Sequence, residues 1–292
     1  MTALASIPSP SSGAIELGPL TLHAYGFMLL LGILAATALT GIRWTRRGGD
    51  WDLVLRVAMW GVVGGIVGAR LYHVVTSWSE VPDPKWQGVF EIWRGGLGIW
   101  GGIAGGVLLG WVALRRAGEP LFPFMDAVAP GLLLAQAIGR WGNYFNQELF
   151  GEPTSRAWSL EIDVENRPLE FLANETFHPL FLYESLWALL GVVVLLLVER
   201  VFRIRPPGLF CLYVIWYTGM RFFIEFLRVD DAHEFLGLRL NAWVSAVLFV
   251  LAVIGFIWAQ RRTDRPAKPK ERPIPKPEKA MAVPKGRVRP RR

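Results

Sequence analysis

Seven apolar stretches, each of 18 to 24 residues, run through this sequence of 292 residues. A helix needs about 20 such residues to cross roughly 30 Å of hydrocarbon. With 52% hydrophobic residues and 14 tryptophans, the chain is also more apolar than a typical soluble domain. The sequence therefore predicts an all-α membrane protein with seven transmembrane helices, at residues 20–42, 53–76, 97–114, 121–138, 179–198, 208–227 and 241–259.

The distribution of charge predicts the orientation of these spans. Arginines follow the first, third and fifth stretches, and cytoplasmic loops are enriched in Arg and Lys. The alternate connections, residues 77–96, 139–178 and 228–240, are mixed or acidic. We therefore expect the N-terminus outside and the C-terminus in the cytoplasm. No Lys or Arg precedes Arg43, so we expect no cleaved signal peptide.

Three further regions are distinguished by composition. Residues 1–19 are expected to form an extracytoplasmic N-terminal segment, ahead of a transmembrane domain at residues 20–260. Residues 152–178 are expected to form a small extracytoplasmic cap, in which alternating side chains at 158–162 are a weak strand signal. Residues 261–292 hold 13 Lys/Arg and 3 Asp/Glu. They predict a disordered, basic cytoplasmic tail attracted to anionic lipid headgroups.

Small residues in the spans predict how the helices pack. Glycines recur at a spacing of four residues, which lets two helices in lipid approach closely. We favour packing over contact with a ligand for these glycines, which are Gly61 with Gly65, Gly64 with Gly68, Gly101 with Gly105, and Gly102 with Gly106 and Gly110. Cys211, which lies in an apolar stretch, is the single cysteine of the sequence. Because there is only one, an internal disulfide and a cysteine metal cluster are excluded.

Polar side chains crowd residues 139–151, directly after the fourth apolar stretch. The segment reads Gly-Arg-Trp-Gly-Asn-Tyr-Phe-Asn-Gln-Glu-Leu-Phe-Gly. Arg140, Asn143, Asn146 and Glu148 are costly at a membrane boundary unless they are paired or contact a polar ligand. The segment is therefore a functional site, or it is an interfacial cap whose Asn and Glu side chains satisfy a helix end. The residues alone leave both interpretations open.

Other ionisable groups fall at the same predicted membrane depth, namely Tyr25, Arg70, His73, His178, Glu184, Arg221 and Glu225. Arg221 and Glu225 are four apart on one helix face, so they form an ion pair or present one partner to a ligand. Because a guanidinium binds phosphate oxygens in a bidentate way, Arg140 and Arg221 suit a phospholipid phosphate. We expect Arg70 to extend to the interface. Asp126, near the opposite membrane face, is interpreted as a packing or capping group.

Residues 139–151 resemble the signature of the prolipoprotein diacylglyceryl transferases, G-R-x-G-N-[F/Y]-x-N-x-E-x-x-G, and match it at every specified position. The similarity covers about residues 20–260. Other pieces resemble the same family, and they are His23-Ala24-Tyr25-Gly26, Gly68-Ala69-Arg70-Leu71, Gly95-Gly96 through Gly101-Gly102, His178-Pro179 with Tyr183-Glu184, and Tyr217 through Arg221, Glu225 and Arg228.

The resemblance implies an enzyme, a transferase in the bacterial plasma (inner) membrane. It would move the diacylglyceryl group of phosphatidylglycerol to the thiol of the lipobox cysteine in a prolipoprotein signal peptide, the first step of lipoprotein maturation. It implies no cofactor, no metal and no nucleic-acid partner. The catalytic residues that it implies are Tyr25, Arg140, Asn143, Glu148, Tyr217, Arg221 and Glu225, and the substrate-binding residues are Arg140, Asn146, Gly151 and Arg221.

The sequence departs from the family pattern at Trp100, where many members have histidine. A base at that position is unavailable here, so Glu148, Glu225 and His178 are unranked candidates for the proton acceptor. Alternatively, that histidine is never a base, and tryptophan takes over its packing role.

Two other classes of membrane protein were weighed. A retinal protein needs a lysine late in the bundle, and none lies between Lys85 and Lys268. A transporter of an anionic substrate that uses Arg221 and Glu225 as a coupling pair is the stronger rival. However, seven spans do not divide into repeated halves, and the charges gather on one side of the membrane.

Overall fold

The protein is described by a computed structural model that covers residues 6–10, 12–17, 20–230 and 234–262. The predicted basic tail lies outside these residues, apart from its first two positions. The helices are α1 Ala24–Arg46, α2 Trp51–Thr76, α3 Lys85–Gly88, α4 Ile99–Arg116, α5 Leu121–Phe145, α6 Leu180–Val201, α7 Gly208–Ile224 and α8 Leu240–Arg261. Single turns of 3-10 helix lie at Trp78–Glu80, Ile92–Arg94, Val164–Asn166 and Leu169–Phe171. The strands are β1 Ala14–Leu17, β2 Leu20–His23, β3 Leu160–Glu161, β4 Thr176–Phe177, β5 Glu234–Phe235 and β6 Leu238–Arg239.

The helices confirm a multi-pass membrane protein. Within the described residues, five helices (α1, α2, α5, α6 and α8) are long and apolar enough to cross a membrane, and α7 is a shorter apolar helix of 17 residues. Each predicted stretch coincides with a helix, but α5 is longer than the apolar stretch at residues 121–138. Helix α5 continues to Phe145, so the first half of the polar motif is helical.

Helix α5 is the centre of the bundle. It packs against α1, α6 and α7, and of the five candidate spans it is the most buried. Small residues allow this close packing, since a Cβ atom on Gly131 would lie 2.8 Å from the carbonyl oxygen of Ala36 in α1. The motif at the end of α5 is therefore held by three neighbouring helices.

The glycine pattern predicts the packing of α2 against α4 correctly. A Cβ atom on Gly64 would lie 2.3 Å from the carbonyl oxygen of Gly105, and one on Gly101 would lie 2.2 Å from that of Gly68. Real Cβ atoms essentially never approach so closely, so the two backbones touch only because these residues lack side chains. This is the small-residue contact expected of helices in lipid.

The expectation that Arg70 extends to the membrane interface is wrong. This arginine is 6% exposed, and its guanidinium donates hydrogen bonds to the carbonyl oxygens of Gly88 (2.5 Å), Val89 (2.9 Å), Gly95 (2.8 Å) and Gly96 (3.0 Å). The loop between α2 and α4 supplies acceptors that the sequence pattern did not reveal. Arg70 thereby fixes this loop on the end of α2.

The opposite end of the bundle is joined by a second buried arginine. Arg43 donates to the carbonyl oxygens of Ala127 (3.0 Å) and Asp126 (2.8 Å) and forms an ion pair with Glu199 at 2.5 Å. The side chain of Asp126 accepts a hydrogen bond from the backbone amide of Phe210 (2.9 Å), in the first turn of α7. This confirms the expected capping role of Asp126.

A small cap covers the motif end of the bundle. Strand β3 pairs with β4, and a bridge from Ile7 to Leu160 adds the N-terminal segment. The strand signal at residues 158–162 is thus confirmed for Leu160–Glu161. The cap packs on the bundle through a buried apolar cluster made of Phe150, Leu160, Ile162, Phe177 and Phe181. Before α1, strands β1 and β2 pair in antiparallel orientation, and because β2 covers Leu20–His23 the first helix begins at Ala24 rather than at residue 20.

Candidate active site

The polar motif reverses the chain at the end of α5. The amide of Gln147 donates to the carbonyl of Tyr144 (3.2 Å), and the amide of Glu148 donates to that of Asn143 (3.1 Å). These two bonds define a Schellman motif, which needs a left-handed residue after the helix. Gln147 takes that conformation, with φ +51°, and Leu149 follows with φ +57°. Non-glycine residues rarely adopt such angles, so the surrounding contacts must hold them.

The reversal brings together polar side chains that stand five residues apart. Asn143 Nδ2 donates to Glu148 Oε1 (2.8 Å), and Asn146 Nδ2 lies 3.4 Å from the same oxygen. Asn143 is buried, whereas Asn146 and Glu148 are exposed. Arg140 Nη1 reaches Asn143 Oδ1 at 3.4 Å. Backbone amides satisfy the helix end, so these side chains are left to form a network around Arg140.

Gln147 holds this turn against the cap. Its Nε2 donates to Asp163 Oδ2 (2.6 Å) and to the carbonyl of Pro10 (3.0 Å), and its Oε1 accepts from the amide of Asp163 (2.8 Å). Sequence reasoning missed Gln147, because its partners lie in the cap and in the N-terminal segment.

Helix α6 contributes a carboxylate that sequence reasoning noted but did not assign to the site. Glu184 Oε2 lies 2.5 Å from Arg140 Nη2, and the side chains of Glu184 and Arg140 are 7% and 17% exposed. The signals in the sequence were a carboxylate near the start of an apolar helix and the resemblance of Tyr183-Glu184 to the family. The partner of Glu184 is on another helix and could not be deduced from spacing.

Helix α7 contributes the predicted ion pair. Arg221 Nη2 lies 2.5 Å from Glu225 Oε1, while Glu225 Oε2 lies 3.6 Å from Arg239 Nε and 3.8 Å from Arg228 Nε. Arg228 and Arg239 also contact Asp230. Arg221 Nη1 is buried and has no hydrogen-bond partner within the described residues. The pair therefore forms, and one donor of its arginine remains available.

A small cavity of about 10 Å³ between α5, α6 and α7 brings Arg140, Glu184 and Arg221 together. This volume is about that of one water, so an anion enters only if the side chains around it move apart. Gln136 and Tyr217 line the cavity too, and its remaining lining residues are Leu133, Trp187, Ala188 and Met220. Gln136 Oε1 is buried without a hydrogen-bond partner in the described part of the chain.

An unpaired donor favours an anion in this cavity. The ion pairs around it contain four guanidinium groups and three carboxylates, and the carboxylate of Glu148 lies in the hydrogen-bond network of Arg140, so the formal charges are equal. Arg221 Nη1 nevertheless has no hydrogen-bond partner among the described residues. A phosphate oxygen is a suitable acceptor for this buried donor.

The remaining predicted residues lie near this cluster. The ring of Tyr25 packs on Gly142, where an added Cβ atom would lie 2.6 Å from Tyr25 Cδ2, and Tyr25 is 40% exposed. Tyr217 stacks on Tyr213 with ring centroids 6.4 Å apart. Gly151 lies at a backbone junction instead: its amide donates to the carbonyl of His178 (3.0 Å), and it bridges Arg228.

Comparison with known proteins decides the family. The family model described as prolipoprotein diacylglyceryl transferase matches residues 12–258 of this chain. The chain belongs to this family. The resemblance found in residues 139–151 is thereby confirmed.

Similar relatives of this transferase family are named phosphatidylglycerol–prolipoprotein diacylglyceryl transferase. One from Frankia alni is 49% identical over 91% of this chain and 71% of its own length. One from Streptomyces griseus is 46% identical over 92% of this chain and 85% of its own length. One from Cutibacterium acnes is 48% identical over 88% of both chains.

In this transferase, the three predicted proton acceptors have different surroundings. Glu225 is surrounded by three arginines, and Glu148 is bound by two asparagine amides. His178 Nδ1 lies 3.0 Å from the hydroxyl of Tyr183, while burial and the charge of Arg156 lower the pKa of His178. None of these three groups is among the residues that line the cavity.

Proposed function

We propose that this protein transfers the diacylglyceryl group of phosphatidylglycerol to the cysteine thiol of a prolipoprotein. Family membership and the names of the relatives support this function. The observation that carries the proposal is the convergence of Arg140 and Arg221 on one cavity, where Arg221 Nη1 is buried and has no hydrogen-bond partner within the described residues. The phosphodiester of phosphatidylglycerol carries one negative charge and would accept hydrogen bonds from both guanidinium groups.

The reaction needs cationic donors at the leaving group. The cysteine sulfur attacks the glycerol carbon next to the phosphate ester, and the carbon–oxygen bond breaks to release glycerol phosphate. Charge then develops on the phosphate, where Arg140 and the free Nη1 of Arg221 would stabilise it. Loss of one preorganised donor in such a site typically costs about 10²- to 10³-fold in rate.

The other predicted residues would support this arrangement. Asn143 and Glu148 orient Arg140 through the hydrogen-bond network at the end of α5. Tyr217 and Tyr25 would place the lipid, and Asn146 and Gly151 are assigned to substrate binding by family resemblance. Gln136 Oε1, buried in the cavity wall, is suited to accept a hydrogen bond from a headgroup hydroxyl.

The prolipoprotein partner would be recognised at the lipobox cysteine of its signal peptide. We further infer seven spans, with the N-terminus outside, the cap of residues 152–178 extracytoplasmic, and a basic cytoplasmic tail at 261–292, in the bacterial inner membrane. Helix α4 supports this count, because its 18 residues reach about 27 Å along the helix axis. The bundle domain at residues 20–260 would then be the catalytic domain.

The full-length protein in detergent with labelled phosphatidylglycerol and a lipobox peptide provides the test. We expect the label to move to the peptide that carries cysteine and not to a matched peptide that carries serine. If the cysteine peptide gains no label while the protein remains folded, the proposal is refuted.

Sidedness is tested separately, by labelling single cysteines introduced at the exposed positions Asn146 and Glu148 in a variant in which Cys211 is replaced by alanine. Reaction with an impermeant reagent added outside intact cells supports the orientation. Reaction only after the cytoplasmic face is opened would contradict it.

The transporter alternative is less well supported. Family membership favours group transfer. Arg221 and Glu225 are also held in one ionic cluster with Arg228 and Arg239, near one end of the bundle.

A further inference from the structure

The sequence leaves the proton acceptor of the transfer reaction open, because Trp100 has no group that takes up a proton at neutral pH. Three carboxylates lie near the candidate site, on Glu148, Glu184 and Glu225. Among the described residues that line the cavity, the carboxylate is that of Glu184. A general base must lie within hydrogen-bond reach of the proton that it removes, so position comes before every other criterion.

We propose that Glu184 is the catalytic proton acceptor and that bound lipid releases it for this task. This inference rests on the proposed function. In the structure, Glu184 is paired with Arg140 at 2.5 Å. The only other hydrogen bond of Arg140 within the described residues is the long contact with Asn143, at 3.4 Å.

A lipid phosphate that enters between Arg140 and Arg221 competes with Glu184 for the same guanidinium. Arg221, on α7, lines the same cavity as Glu184. The negative charge of the phosphate offsets these cations at the same time. A buried carboxylate that loses its cationic partners accepts a proton more readily, because the protonated form needs no solvation of charge.

The chemical step balances with these groups. The thiol proton passes to the Glu184 carboxylate as the sulfur–carbon bond forms. The carbon–oxygen bond breaks, and its electron pair leaves on the phosphate oxygen held by Arg140 and Arg221. Glycerol phosphate departs, and Glu184 then returns its proton to water or to the leaving phosphate.

Kinetics of the full-length protein test this assignment. We would measure kcat and KM for phosphatidylglycerol from pH 5 to 9, in the unchanged protein, E184Q and the exposed control E165Q. We expect kcat of E184Q at pH 7 to fall by about 10²- to 10⁴-fold, the usual contribution of a general base. Its KM should stay equal or decrease, because the carboxylate that competes with phosphate is gone.

The pH profile separates catalysis from a structural role. The residual rate of E184Q should rise about tenfold per pH unit up to the ordinary thiol pKa near 8.5, because only solution thiolate can then react. The unchanged protein and E165Q should lack this dependence. E184D should be slower than the unchanged protein but keep its profile.

Other results would overturn the assignment. If E184Q raises KM and keeps the original pH profile, Glu184 only positions Arg140. If E184Q does not fold, E184D decides, and an altered profile in E184D rejects the proposal. Absence of transfer by the unchanged protein would instead reject the proposed function, so the two failures are distinguishable.

Discussion

Replacing Gly151 by alanine tests whether the last motif residue is needed for space. A Cβ atom there would lie 2.9 Å from the carbonyl oxygen of Leu227, 2.9 Å from His178 Cβ and 3.2 Å from Leu180 Cδ2. Ordinary contacts begin at 3.4 Å, so two neighbours must each move by about half an ångström. Neither moves freely, because the Leu227 carbonyl accepts from Glu152 and that of His178 accepts from Gly151 itself.

Overpacking of this kind typically costs about 1–3 kcal/mol. By the scaling known for domains of 150 to 250 residues, this lowers the melting temperature by roughly 2–12 °C. Activity should fall as well, because Gly151 bridges Arg228, which contacts Glu225, the partner of Arg221. We expect a loss of about tenfold in kcat, since a displacement near 1 Å can cost up to 10²-fold.

The assay combines thermal unfolding, followed by tryptophan fluorescence, with the transfer reaction. The matched control is Gly139→Ala, because a Cβ atom on this motif glycine meets nothing within 4 Å. Gly139 lies inside α5, where alanine is the better helix former, so the control should melt no lower than the unchanged chain. If Gly151→Ala keeps its melting temperature and raises only KM for the lipid, the packing argument is refuted, and Gly151 acts through the substrate.

Three further predictions concern charge. Arg140→Ala should abolish measurable transfer while membrane insertion remains intact, and normal turnover would exclude its role at the phosphate. Deletion of residues 264–292 should leave the rate within about twofold in detergent, since the proposed site lies in the bundle; a folded but inactive truncation would contradict this. Although burial raises the pKa of Asp230, hydrogen bonds and charge from Arg228 and charge from Arg239 outweigh it and hold that pKa below its usual value. Asp230 therefore stabilises the fold above the ordinary carboxyl range near pH 4 and loses this effect as the pH falls through its lowered pKa. Asp230→Asn should lower the melting temperature at pH 7 and have a smaller effect near pH 3, whereas an equal effect at both pH values would contradict the ion pairing.

Interactions between residues close in sequence were predictable. The pair Arg221 and Glu225 follows from the helical repeat. Glycines four apart predicted that helices would pack closely, but only the structure shows that Gly64 meets Gly105. The extent of α5 was harder to predict. Its last turns carry polar residues that hydropathy assigns to a loop, but these residues are helical, and α5 ends only at the Schellman turn after Phe145.

The sequence by itself determined the apolar helices, the family and the polar motif, because hydrophobic periodicity and local spacing are written in consecutive residues. Only the tertiary structure decided which charges meet. Arg140 pairs with Glu184 from another helix, and Arg70 bonds to loop carbonyls instead of extending to the interface. A buried charge in a membrane takes the partner that helix packing brings within reach, and that packing depends on contacts between segments far apart in the chain.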